Sequence, residues 1–349
     1  MTWKQQLADS ITTPEQLAGF FDIDPEPLRA VAARYPLLIT PHYLKLIEKP
    51  GDPIWRQCVP DLTELAADDL PEDSLNEQAF APVPAVVHRY PDRALLLVSG
   101  RCAGYCRFCT RKSRVGTRGF SFSMAQIEEG IAYISATPEI RDVILTGGDP
   151  LLLNDECLAD LLTRIQQIGH VEVVRIGSRV PVTLPDRITP RLCRMLSRFQ
   201  PLYLNLHFNH PRELTAESAA ACARLADAGL PLGNQTVLLN GVNDDPGVMI
   251  ELCRGLLKMR VRPYYLHHLD QARGTSHFRV PVERGLEIIA GLRGQLAGLG
   301  IPQYVIDPPG GEGKVPLLPE NLLDVGDSLR VKTSRGVVEL PNRRRRDAV

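Results

Sequence analysis

Three cysteines, Cys102, Cys106 and Cys109, share one short loop, with three residues between the first two and two between the last two. This spacing lets a single turn of loop aim three thiolates at one place. A cubane [4Fe–4S] cluster offers four iron corners, so three thiolates would hold it and leave the fourth iron open to a substrate or cofactor. A structural zinc asks for four ligands, most often as two close pairs. Here Cys58, Cys157, Cys193, Cys222 and Cys253 are scattered singly, and no second pair exists. A disulfide framework needs an oxidising compartment, and the N-terminus carries no apolar run that suggests export. The loop reads as a cluster site.

A second constellation lies near the other end of the chain, where Asp307 leads into Gly310, Gly311, Glu312, Gly313 and Lys314. A lysine in a glycine-rich loop after a strand has two uses. It binds phosphate as a point charge, or it forms a Schiff base with an aldehyde cofactor. A Walker phosphate loop is excluded, because Val315 follows the lysine where Ser or Thr is required. Between the two constellations, polar groups gather where apolar runs end. Gly147 and Gly148, followed by Asp149, would let backbone approach a ligand closely. Ser178, Arg179, His207, Asn209, Asn234, Gln235 and Asn243 add hydroxyl, guanidinium, imidazole and amide groups. Ligands explain such a collection at one rim better than packing does.

The elements that must position these groups alternate in type. Apolar runs at 95–98, 143–145, 171–176, 202–208, 235–239, 261–266 and 304–306 read as strands. Several are separated by helical stretches, such as the one opened by the capping box Ser123 to Gln126 and the ones carrying Leu158, Leu161, Leu162 and Ile165, or Leu252, Leu256 and Met259. Strands alternating with helices imply parallel units, an α/β fold and a partial or full barrel with its chemistry at the C-terminal strand ends. Residues 1–85 differ in texture: a helix starts at Thr13-Pro14, another runs from Pro25 to about Ala33, and the Pro- and acid-rich stretch 50–84 reads as irregular wrapping, a cover for the catalytic part. Beyond 321, short β-like pieces (328–332 and 336–340) precede Arg343 to Arg346, a solvated terminus or a docking point for an acidic partner.

Composition bounds the surroundings. Charged residues make up 23% of the 349 and the net charge is −1, so no global field argues for nucleic acid or an anionic membrane. No apolar stretch approaches the roughly 20 residues of a membrane helix. Eight cysteines without an export signal place the chain in a reducing cytoplasm.

A strand followed by this cysteine loop resembles the radical S-adenosylmethionine (SAM) superfamily, in which the open iron chelates the amino and carboxylate groups of SAM. In order, the cysteine loop, 147–151, 176–180, 207–211, 234–244 and 307–314 resemble the lysine 2,3-aminomutase family over about residues 85–320. The resemblance implies a radical SAM partial (β/α) barrel over 86–320, with an N-terminal helical extension (1–85) and a short C-terminal tail (321–349). Three cofactors are implied: a [4Fe–4S] cluster on Cys102, Cys106 and Cys109, SAM, and pyridoxal 5′-phosphate (PLP). Carried over residue by residue, Lys314 would be the Schiff-base lysine, and Tyr90 and Arg93 of the segment His88 to Arg93 would reach the PLP phosphate. Gly147, Gly148, Asp149, Ser178, His207 and Gln235 would serve SAM. Arg111 would bind the substrate carboxylate, and Asp270 with Asp307 its distal ammonium. An acidic pair favours lysine, because a glutamate side chain would be repelled.

The implied reaction is a 1,2-amino shift turning L-lysine into a β-lysine, with a flavodoxin or ferredoxin as reductant. Longer members carry a cysteine-bearing zinc segment, and no cysteine follows Cys253. The short form resembles the subgroup making (R)-β-lysine, which a ligase attaches to translation elongation factor P. Alternatives are a free-standing lysine or glutamate 2,3-aminomutase, and a non-catalytic iron–sulfur sensor; oligomers are compatible with each.

Overall fold

Apolar runs too short for helices, each followed by an amphipathic stretch long enough to fold back over it, assemble as parallel strands under helices. The computed structural model describes residues 2–341 apart from 67, 309, 319–320, 326–327 and 334–335, so Arg343 to Arg346 lie outside the described residues. Its nine-stranded sheet follows chain order: β1 (Val86–Tyr90), β2 (Arg93–Ser99), β3 (Asp142–Gly147), β4 (Val173–Ser178), β5 (Leu202–Leu206), β6 (Leu232–Val237), β7 (Arg262–His267), β8 (Gln303–Ile306) and β9 (Val315–Pro316). From β2 to β8 all pairs are parallel; β1 and β9 pair antiparallel at the two ends. The end strands are not neighbours, so the sheet is an open, partial (β/α) barrel, as the alternation implied.

Helices cover its outside. Met124–Ser135 starts at Ser123, whose side chain accepts from the Gln126 backbone in the expected capping box, and buries Ile127, Ile131 and Ile134. Asp155–Gln166 buries Leu158, Leu161, Leu162 and Ile165 against the same core. Each such side chain contributes about 1.5–3 kcal/mol by leaving water. Along β3, β4 and β6 burial alternates residue by residue. Val143, Leu145, Val174 and Ile176 join the core, whereas Thr146, Arg175, Asn205 and Gln235 line the lumen. Parallel strands covered on both faces are usually apolar throughout. The polar inward positions keep this lumen open as a cavity.

Several strand boundaries differ from the sequence reading; β4, read at 171–176, runs from Val173 to Ser178. The start of β6 lies at Leu232, set by its ladder to Leu204 of β5, so Asn234 and Gln235 sit inside the strand. β5 ends at Leu206, which leaves His207 and Phe208 in the following loop. The hairpin strand β1 carries too few apolar residues to stand out alone. Beyond the barrel, β10 (Leu322–Val325), β11 (Ser328–Thr333) and β12 (Gly336–Pro341) form a separate antiparallel sheet.

The N-terminal residues do more than cover. The stretch expected to wrap irregularly contains a helix, Pro53–Cys58, and a short turn, Leu62–Leu65, and both brace the cysteine loop. Backbone N–H groups of Tyr105 and Arg107 donate to the carbonyls of Leu38 (3.2 Å) and Gln57 (2.9 Å). Glu64, 1% exposed, accepts from Arg107 Nε (2.9 Å) and Nη2 (2.6 Å) and from Lys112 Nζ (2.7 Å). Lys112 also donates to the carbonyls of Arg107 and Gly274 and lies 4.3 Å from the centroid of the Tyr35 ring.

Removing one member of a buried ionic group strands the others without compensation, at about 3–5 kcal/mol. Glu64→Ala is therefore expected to lower the stability of the cluster-free protein by about that amount, read as a drop in urea midpoint. A change below about 1 kcal/mol would mean that the triad does not hold this loop.

Candidate active site

The cysteine loop starts at the carboxyl end of β2. Cys102, Cys106 and Cys109 all line one small cavity together with Tyr35, Arg107 and Lys112. Burial raises the Cys102 thiol, and burial with Cys106 nearby pushes Cys109 up to about 11. Among the described residues, no three His, Cys, Asp or Glu side chains come together at the distances a single metal ion requires. A cubane, whose irons are spread apart, asks only that three thiolates face one volume, and this donor set fits it. Positive charge surrounds the thiols. Arg179 Nη1 donates to Cys106 Sγ (2.7 Å), while its Nη2 is held by Tyr43, Gln57 and Glu213 at 2.7–3.0 Å. Arg107 and Lys112 add two cations against the single Glu64 carboxylate.

The glycine pair is tied to this loop. A Cβ on Gly147, whose φ is +116°, would lie 2.4 Å from the Ser99 carbonyl oxygen, and one on Gly148 would lie 2.3 Å from that of Arg101. The Asp149 N–H donates to the Arg101 carbonyl at 2.7 Å. The glycines are thus required by backbone meeting backbone, which the sequence reading attributed to a ligand. Asp149 is buried and accepts from Ser178 Oγ (2.9 Å) and from the N–H groups of Leu151 and Arg179; burial pushes its carboxyl up to about 6. His207 stacks 5.5 Å from the Phe108 ring, its buried Nε2 without a partner among the described residues. Burial and Arg179 hold it neutral. Gln235 stands apart from these, in the wall of the main cavity.

That cavity, about 380 Å³, opens into the lumen and is lined by Tyr90, Arg93, Arg111, Gln235, His267 and Lys314, among others. Gly310, Gly311 and Gly313 have φ values of +88°, +85° and +94°, which explains the glycines around exposed Glu312. Tyr90 Oη accepts from the Lys314 N–H (2.9 Å), and Arg93 stacks on the Tyr90 ring at 4.3 Å. Lys314 Nζ donates to Asp307 Oδ2 at 2.8 Å. Arg89 Nη2 donates to the same oxygen at 3.2 Å. Asp307 Oδ1 is buried without a hydrogen bond among the described residues. Burial alone would raise Asp307, but Lys314 and Arg89 hold it below the usual carboxylate range. Burial and Asp307 push Asp270 up to about 7, whereas burial and the Lys314 charge press His267 down to about 3. The chemistry fits an aldehyde cofactor with an anionic tail: a primary amine at the rim, with Tyr90 and Arg93 beside it.

Arg111 reaches the same cavity. Its Nε donates to both oxygens of Glu77 (3.0 and 2.9 Å) and its Nη1 to the Gly147 carbonyl (3.1 Å). Glu77 also accepts from Arg114 at 2.7 Å. Glu64, Glu77 and Arg89 were not singled out from the sequence. Arg89 lies inside a quoted segment, and Arg179 was read only as one of the polar groups at the rim. The two acids sit in a stretch with no periodicity and meet partners more than thirty residues away, so no local pattern marks them.

Residues 96–253 match the Radical SAM superfamily and 289–338 match a model described as Lysine-2,3-aminomutase. Over 344 residues the chain is 48% identical to the L-lysine 2,3-aminomutase of Clostridium subterminale, spanning 96% of this chain and 82% of that one. It is 42% identical over 342 residues to the glutamate 2,3-aminomutase of Clostridioides difficile (96% and 81% covered). Identity to the L-lysine 2,3-aminomutase of Escherichia coli is 36% over 329 residues, 90% of this chain and 94% of that one.

A pH dependence follows from Asp270. Its ordinary value is 3.8 and its folded value about 7, so between about pH 4 and 7 the unfolded chain releases a proton that the folded chain keeps. Stability falls as pH rises through that window and stays low above it. Asp270→Asn removes the titration. The melting temperature of the cofactor-free variant should gain on that of the natural chain as pH rises from about 4 to about 7.5; a gap independent of pH would detach the shift from Asp270.

Proposed function

Since the chain belongs to the lysine 2,3-aminomutase family of radical SAM enzymes, an isomerase family, we propose that it converts L-lysine to (R)-β-lysine by a 1,2-amino shift. The family implies a [4Fe–4S] cluster, SAM and PLP. One observation carries the choice of substrate. Asp307 already holds a primary ammonium, that of Lys314, at 2.8 Å, and burial together with the Asp307 charge pushes a second carboxyl, Asp270, up to about 7. Once the Lys314 amine is committed to a cofactor, Asp307 loses that cation and the acid pair is left to take the distal ammonium of lysine. A glutamate carboxylate in the same place would face two acids.

The cofactors would supply, when bound, a carbon-centred radical and a conjugated ring able to delocalise the unpaired electron during the nitrogen shift. The chain's own residues supply the rest. Cys102, Cys106 and Cys109 would ligate the cluster, with Arg179, Arg107 and Lys112 offsetting thiolate charge. Gly147, Gly148, Asp149, Ser178 and His207 stand next to that loop, where SAM would bind, and Gln235, in the wall of the main cavity, would reach SAM from the barrel side. Tyr90 and Arg93 would anchor the phosphate of PLP on Lys314. Arg111, one of two arginines sharing one glutamate, would receive the α-carboxylate. His267, held neutral by burial and the Lys314 charge, adds no competing cation to the lumen. Electrons would come from a small carrier such as a flavodoxin or ferredoxin. The finer use, supply of (R)-β-lysine to a ligase acting on elongation factor P, is supported only by the resemblance to the subgroup that makes (R)-β-lysine; loss of β-lysyl-modified factor on gene deletion checks it.

The test is an anaerobic assay of reconstituted protein with PLP, SAM, a reductant and either L-lysine or L-glutamate, with products separated by chiral chromatography. (R)-β-Lysine from lysine alone is expected, and Asp307→Asn should raise KM for lysine by roughly thirtyfold or more. β-Glutamate would overturn the role of the acid pair. SAM cleavage with no rearranged amino acid would sink the aminomutase reading.

A further inference from the structure

Glu77 is a charged residue that the reaction does not consume. It is 5% exposed and stands where the N-terminal stretch crosses the mouth of the barrel beside Arg111. Its position is set by backbone: the Asp73 carboxylate accepts from the N–H groups of Glu77 and Gln78, both at 3.0 Å. Burial would favour its neutral form, but Arg111 and Arg114 together hold it at about 2, so it is a carboxylate at any working pH.

We propose that Glu77 is the positioning residue that sets the plane of Arg111, and so fixes how the site receives the α-carboxylate of its amino acid; this rests on the role given to Arg111 above. A guanidinium has five N–H groups. Glu77 takes one from Nε and one from Nη2, and the Gly147 carbonyl takes one from Nη1, with Thr146 Oγ1 at 3.4 Å. One N–H of Nη2 is then unclaimed, and on Nη1 only the long bond to Thr146 Oγ1 stands between its second N–H and a ligand. These two form the end-on pair that matches a carboxylate bidentately. Charge points the same way. Glu77 neutralises one of two neighbouring guanidiniums, which keeps Arg111 and Arg114 from repelling each other and leaves one positive charge for an incoming anion. Without Glu77 both would be enclosed and unpaired, and Arg111 would be free to turn away. A rival physical reading exists: Glu77 would merely occupy the place of the substrate carboxylate and compete with it. The two readings predict opposite signs.

The experiment uses holoenzyme with cluster, PLP and SAM. It compares binding of L-lysine with binding of 1,5-diaminopentane, which has the same two amines and no carboxylate, by the change in PLP absorbance. It also separates KM from kcat for β-lysine formation. Glu77→Ala and the isosteric Glu77→Gln are expected to weaken lysine by roughly tenfold or more, to move diaminopentane by less than about twofold, and to raise KM more than they lower kcat. Glu77→Asp should recover part of the loss. Equal weakening of both ligands would overturn the proposal in favour of a purely structural role, and tighter lysine binding would overturn it in favour of competition. If the natural chain makes β-lysine yet does not prefer lysine to diaminopentane, the role of Arg111 falls and this proposal with it. Absence of β-lysine from the natural chain, with the preference intact, would instead sink the reaction while supporting the carboxylate site.

Discussion

A loop of turns cannot hold three thiols by its own backbone, and the buried carboxylate of Glu64 is what keeps this one in shape. It binds Arg107, which sits between two of the cysteines, and Lys112, which lies beyond the third. Through Lys112 the same network reaches the carbonyl of Gly274, beyond β7. The cluster loop is thus clamped between the N-terminal stretch and the far side of the barrel. Net charge follows from the same contacts. Two cations around one acid leave a positive surplus beside groups that become thiolates on binding iron, and the low dielectric of the interior strengthens that effect.

The main cavity repeats this use of unequal charge. Around Arg111, two guanidiniums share one carboxylate; around Asp307, an ammonium and a guanidinium share one carboxylate, with the largely protonated carboxyl of Asp270 within its field. A zwitterion with an extra cationic end meets complementary charge at both places. His267 and His207, kept neutral by burial, add polarity without altering that balance.

Much of this was legible in the residues. The cysteine spacing, the capping box at Ser123, the helical spacing of Leu252 and Leu256 and the glycine-rich run before Lys314 are local patterns, and local patterns survive translation into structure. What stayed hidden was long-range. Glu64 and Glu77 look like any acids in a Pro-rich stretch, and only folding brings them to Arg107 and Arg111. The glycines at 147 and 148 were read for a ligand, yet their first neighbours are the carbonyls of Ser99 and Arg101, a contact between two loops that no single segment encodes. The start of β6 was set by its partner strand, and apolar content alone placed it too late.

Sheet order and chain order coincide, so no strand has to insert between two that have already paired. Each new strand needs only the edge left by its predecessor, and that growing edge is a template for pairing with another molecule until something blunts it. The last full strand, β8, is blunted by the two residues of β9, Val315 and Pro316, which follow Lys314 directly; proline offers no N–H to a further strand. Anchoring the lysine and sealing the sheet are therefore one structural event. Damage to this short segment exposes a sticky edge at the moment it removes the amine, which couples the loss of chemistry to aggregation of the chain.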